Sequence, residues 1–174
     1  MEKQHLDNFY EDILNNPQYK QYGLILPLTV IYKNLFNDSE CFTKKTYDLI
    51  HSDIDVLAAL YFNGKALSHE ELYDSTMPFK KTLTPTDLYA ATVFSSGGMT
   101  KVLKKLEDKK LISRCACPND KRSLLVSLEK EGEDIILDCL EKLVQRREKF
   151  FNILSESEKQ TLEDILKKLT YQLF

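Results

Sequence analysis

Apolar residues recur at helical spacing along most of the chain and alternate only near residues 112–128, which predicts helices around a single β-hairpin. Met99, Val102, Leu103 and Leu106 fall at i, i+3, i+4 and i+7, one buried stripe of an α-helix. Gly97 and Gly98 stand at the front of that stripe. Glycine inside a helix costs about 1 kcal/mol relative to alanine, so close approach of another backbone is the expected reason for the pair. Placed in the first turn, where the hydrogen-bond ladder is incomplete, the two glycines cost less than that figure, and Ser95 or Ser96 is the expected cap.

The same reading extends to both sides. LTPTDLYAAT (83–92) predicts a short helix with Thr84 at the N-cap, Pro85 in the first helical position and Asp87 in the third. Two short helices joined by a tight connection form a helix-turn-helix, and ISRCAC and SLLVSL flanking CPNDKR predict the hairpin that follows. Upstream, Ile54, Leu57, Ala58 and Tyr61 share a helix face that Asn63-Gly64 ends, with Ser52 or Asp53 as its cap. Leu28, Ile31, Tyr32, Leu35 and Phe36 follow Pro27, a first-turn residue or a kink, at helical spacing, and the Asn-Asn-Pro and lone glycine of ILNNPQYKQYG place a break between residues 15 and 23.

The last 45 residues predict two amphipathic helices. Ile136, Cys139, Leu140, Leu143, Val144, Phe150 and Phe151 mark the first, and Ser155 with Glu158 forms a capping box for the second, which carries Leu162, Ile165, Leu166 and Leu169. Apolar helices at both chain ends predict a two-fold dimer in which they interlock. The expected fold is mainly α with a small β-hairpin wing: a winged helix-turn-helix plus N- and C-terminal dimerisation helices. Its expected divisions are dimerisation helices over 1–48, the winged helix-turn-helix over 49–130 and dimerisation helices over 131–174. LSHEELYDSTM (67–77) echoes LTPTDLYAATV (83–93), by chance or as an extra short helix.

The charge pattern adds a partner. The chain of 174 residues carries a net charge of −3, yet residues 95–130 hold nine Lys and Arg against four Asp and Glu, a local +5 with −8 elsewhere. A basic patch of that kind is the footprint of a phosphate-binding surface, a solvated charged helix face being the plainer alternative. Four scattered cysteines predict reduced thiols rather than a disulfide framework. No apolar run approaches the roughly 18 residues of a membrane span, and MEKQHLDNFYEDIL carries no basic region followed by an apolar segment, so the expected location is cytoplasmic, without a membrane partner.

From Leu83 to Gly132 the chain resembles the core of the MarR family of bacterial transcription regulators. The resemblance rests on the Leu-Thr-Pro-Thr entry, the Ser-Ser-Gly-Gly-Met-Thr helix start, a wing with Asp120 and Arg122, and the closing glycine. LSESEKQTLEDILKKL is similar to the family's last helix. The resemblance implies a homodimer on a pseudo-palindromic operator, with one recognition helix in each of two successive major grooves. It implies Ser95, Ser96, Gly97, Gly98, Thr100 and Lys101 at the DNA-facing helix end, Arg122 reaching a minor groove from the wing tip, and Asp120 bracing the wing. Helix N-termini favour phosphate oxygens, and Lys104 and Lys105, with Lys109 and Arg114, are expected to act through counterion release. The sequence departs from the family at Lys110, where glycine is frequent, at Cys115 and Cys117, and in a longer 65–82 stretch.

The expected function is a DNA-binding transcription regulator, a repressor released by a small aromatic or anionic effector. Tyr32, Phe36, Tyr61 and Phe62 are candidate pocket residues, with core packing as the plainer alternative. A thiol-based redox sensor of the same fold is the second reading: Cys115 and Cys117, two apart on a strand, share a face next to Arg114 and Lys121. No enzyme, cofactor or metal is expected. The phosphate-loop pattern is absent around Gly97 and Gly98, and His5, His51 and His69 lack metal-ligand spacing.

Overall fold

Order along the chain follows the apolar pattern closely. The computed structural model describes residues 2–66, 81–93, 98–117 and 120–173, with backbone alone for Leu14, Ala66, Ala116, Cys117 and 120–123. The chain divides into two units, Met1–His51 and Ser52–Phe174.

The first unit holds α1 (Lys3–Asn15), a 3-10 turn (Pro17–Tyr19) and α2 (Tyr22–Tyr47), so the break falls within the Asn-Asn-Pro stretch. Pro27 stands inside α2 rather than in its first turn. Its ring removes the N–H that would have met the carbonyl of Gly23, one turn earlier. Asp48 closes the helix at φ 55 and pairs with Lys44 one turn back. Short polar side chains tolerate this left-handed backbone, which stops the helix.

The second unit carries most of α3 (His51–Asn63), then β1 (Lys65–Ala66), β2 (Lys81–Leu83), α4 (Pro85–Ala91), α5 (Met99–Asp108), β3 (Ile112–Cys117), β4 (Asp120–Leu128), α6 (Lys130–Phe151) and α7 (Glu156–Thr170). Thr84 caps α4 by accepting the N–H of Asp87 at 3.1 Å. Ser155 and Glu158 form the reciprocal capping box of α7. The strands make one antiparallel sheet in the order β1-β2-β4-β3, so the hairpin gains two short strands that alternation did not reveal. Thr82 pairs with Ser127 and Leu83 with Val126, which places the entrance to α4 against the base of the wing. The echoing segment 67–77 lies outside the described residues.

Leu57 and Leu60 of α3, Leu88 of α4, Leu106 of α5, Val126 of β4 and Ile136 of α6 are all fully buried. One core therefore gathers every element that carries the helix-turn-helix and its wing. Asp53, an expected cap, is the third residue of α3 and is itself fully buried, which a cap on a free helix end would not be. Lys110 follows α5 at φ 59, in the left-handed region, at the place where the family resemblance leads one to expect glycine.

Candidate nucleic-acid interface

Leu103 and Leu106 turn one side of α5 into the core, and the helix period leaves Thr100, Lys101 and Lys104 exposed on the other. The expected cationic face is therefore present, with two lysines and a hydroxyl at solvent. Lys105 departs from it. Its ammonium turns back and pairs with Asp53 of α3, whose side chain is 1% exposed. Arg114, on β3, is also engaged: its Nε donates to Glu107 Oε2 at 2.9 Å, and its Nη2 bonds the same oxygen. This guanidinium holds the Glu107 carboxyl below the usual glutamate range. A depressed carboxylate pKa means that the pair between α5 and the wing is complete above the ordinary glutamate range and is lost only as pH falls through the lowered value.

The glycine pair needed the backbone to be understood. α5 begins at Met99, so Gly98 is its N-cap rather than a first-turn residue, and it sits at φ 144, ψ 5. A Cβ built there meets no described atom within 4 Å. The backbone angle, rather than close packing of the fold, is what demands glycine at this position. Gly98→Ala is expected to cost about 1–3 kcal/mol in a urea titration, the usual penalty for such backbone. Gly98→Leu is expected to cost a similar amount, since no described atom lies within 4 Å of that Cβ. A loss that grows steeply with side-chain size would show packing instead. Ser95, Ser96 and Gly97 lie outside the described residues.

Asp120 and Arg122 stand on β4, with Asp120 opposite Cys117 where the hairpin register shifts; their side chains are among those not described. Cys115 is exposed and faces Leu125 across the ladder, and the side chain of its expected companion Cys117 is not described. Cys139 is a core residue of α6, and burial, assisted by the charge of Asp138, pushes its thiol up to about 11. Tyr32 lies 5.6 Å from Phe36, which stacks on His51 at 3.8 Å, all within the first unit. Tyr61 meets Phe62 edge to face in the second unit, and the ammonium of Lys81 sits 3.6 Å above the Tyr61 ring. Tyr61 is thus already covered on one face by a cation of its own chain.

The pairing roles of Asp53 and Glu107 are what spacing along the chain does not reveal, Asp53 being expected only as a helix cap. Asp53 lies 52 positions from Lys105, beyond any local spacing rule, whereas Glu107 and Arg114 are seven apart across a helix end. Among the described residues no group of His, Cys, Asp or Glu is arranged to hold a metal ion, and no helix is long and apolar enough to cross a membrane.

Residues 78–123 match the model of the MarR family. The family match falls on α4, α5 and most of the wing. The multiple antibiotic resistance protein MarR of Salmonella typhimurium is 34% identical over 88 residues, which is 50% of this chain and 61% of that protein. The HTH-type transcriptional regulator MhqR of Bacillus subtilis is 29% identical over 77 residues, 44% of this chain and 53% of that one. The matched part therefore spans somewhat over half the length of these relatives. Among solved structures, a MarR family protein from Bacillus stearothermophilus superposes with a TM-score of 0.69 at 19% identity, covering 90% of this chain and 96% of its own. Sco3205 of Streptomyces coelicolor, a MarR family transcriptional regulator solved in complex with DNA, gives 0.66 at 17% identity over 88% of each chain. A mainly helical chain with a capped α4, an α5 recognition-type helix and an antiparallel wing has the fold of these solved MarR family structures, and its residues 78–123 match that family's model.

Proposed function

We propose that the chain is a transcription regulator that binds double-stranded DNA as a homodimer on a pseudo-palindromic operator, with α5 in the major groove and the β3–β4 wing on the flanking minor groove. The observation that carries this reading is the exposed face of α5, where Thr100, Lys101 and Lys104 stand opposite the buried Leu103 and Leu106 in a chain of net negative charge. A cationic helix face beside a wing, in an otherwise acidic protein, suits a phosphate backbone. Ser95, Ser96, Gly97, Gly98 and Arg122 complete the proposed contact set, with Asp120 bracing the wing.

The terminal helices support the dimer. No residue of α7 is buried, and an open groove of about 790 Å³ between α6 and α7 is lined by Leu140, Leu143, Val144, Phe151, Leu162 and Leu166. Leu24, Ile25 and Leu28 are exposed on α2 as well. Burying a leucine side chain is worth roughly 1.5–3 kcal/mol, so surfaces of this kind favour a second copy strongly. Repression released by a small aromatic or anionic effector is the proposed mode.

A fluorescence-anisotropy titration of the protein on a duplex from upstream of its own coding sequence, at two salt concentrations, tests the reading. Binding that weakens steeply with salt is expected, and no salt-sensitive binding to any DNA would overturn it. Lys104→Ala is expected to weaken operator and random duplexes alike. It should also flatten the plot of log affinity against log salt by about 0.9 for each phosphate the lysine no longer neutralises.

A further inference from the structure

We propose that Asp53 is a positioning residue for the recognition helix: by holding the Lys105 ammonium inside the fold, it sets the rotation of α5 and withholds that cation from DNA phosphates. The inference rests on the DNA-binding role proposed for α5.

Two kinds of contact seat this helix. Leu103 and Leu106 supply apolar burial, which has no preferred direction and tolerates a helix that rolls or slides by a fraction of a turn. The Asp53–Lys105 pair is directional, since a charge-assisted hydrogen bond loses strength quickly when donor and acceptor are misaligned. Asp53 is fixed in the first turn of α3, on an element whose Val56, Leu57 and Leu60 are almost wholly buried. Its side chain is 1% exposed and that of Lys105 is 33% exposed, so the carboxylate is the buried anchor and the lysine reaches in to it from the rim. Rolling α5 by one residue position, about 100°, would leave that buried carboxylate without this cation, an arrangement that strongly penalises the rolled state. Lys104, the preceding residue, is exposed. The pair thus decides which of two adjacent lysines faces the nucleic acid, and α5 presents Lys101 and Lys104 rather than three cations.

Counterion release separates the two roles of a lysine, because a phosphate contact changes the salt slope and an internal tie does not. The experiment measures wild type, Asp53→Asn, Lys105→Met, the double variant and Lys104→Ala. Each is titrated at a series of salt concentrations on the upstream duplex and on a random duplex of equal length, with circular dichroism melts alongside. Lys105→Met is expected to keep the wild-type salt slope while Lys104→Ala flattens it. Asp53→Asn is expected to steepen the slope by about one phosphate per protomer, as Lys105 is released to solvent. It should also lower the ratio of upstream to random affinity by tenfold or more. The double variant is expected to lose less than the sum of the singles, since the two side chains act as one pair.

A Lys105→Met slope flattened as in Lys104→Ala makes Lys105 a phosphate contact and overturns the proposal. An Asp53→Asn protein with wild-type slope and ratio overturns it too. Should Asp53→Asn not fold, the slope of Lys105→Met decides alone. Wild-type protein that shows no salt-sensitive binding overturns the DNA-binding reading itself, an outcome distinct from both.

Discussion

Gly132→Ala is expected to lower the stability of the protein by about 3 kcal/mol, at the upper end of what overpacking a core costs. A Cβ on Gly132 would lie 2.2 Å from the carbonyl oxygen of Leu111 and 3.0 Å from both its carbonyl carbon and Leu128 Cδ1. The nearest of these is backbone and cannot swing aside. It is also held from another direction, because the same carbonyl accepts the N–H of Glu129 at 3.0 Å. Alanine would gain up to about 1 kcal/mol of helix propensity within α6, which is too little to offset the clash. The measurement is the urea midpoint at unchanged m-value; a midpoint equal to or above that of wild type would show that the α6 end of the wing can yield.

Leu106→Ala is expected to cost about 3 kcal/mol, the middle of the range for a buried leucine that leaves a cavity. Leu106 is fully buried, and its backbone carbonyl also accepts the N–H of Leu111 at 2.9 Å, where α5 hands over to the wing. Lys104→Ala supplies the contrast. An exposed lysine with no packing role should shift the urea midpoint by less than about 0.5 kcal/mol while changing DNA affinity, whereas Leu106→Ala should do the reverse at temperatures where it remains folded. If Leu106→Ala were thermally neutral, α5 would not be seated through its apolar stripe.

Most of what is local was legible in the chain. The Thr84 cap, the Ser155–Glu158 box and the Leu103–Leu106 stripe each depend on residues within one or two turns of one another, and each appears in the structure as the spacing implies. What escaped has a common cause, since it depends on partners or angles that spacing does not encode. β2 has three residues, too few for alternation to register, and its identity as a strand comes from Ser127 and Val126 of β4. Gly98 fits a helical count equally well as first-turn residue or as cap, and only its φ of 144 distinguishes them. The local excess of +5 counted Lys105 and Arg114 as though both faced outward. A charge tally locates a patch, but the partners Asp53 and Glu107 decide which members of it are available.

The short strands β1 and β2 carry one more consequence. Lys65 and Thr82 are direct partners across an antiparallel ladder, so the chain leaves the sheet and re-enters it at neighbouring strands, roughly 5 Å apart. Whatever length of chain joins them, its two ends are already closed by the ladder, and each doubling of that length costs only about 0.6 kcal/mol in closure entropy. The joint between Ala66 and Lys81 is therefore one at which a change of chain length costs the sheet little. It is a grafting point built into the edge of the sheet.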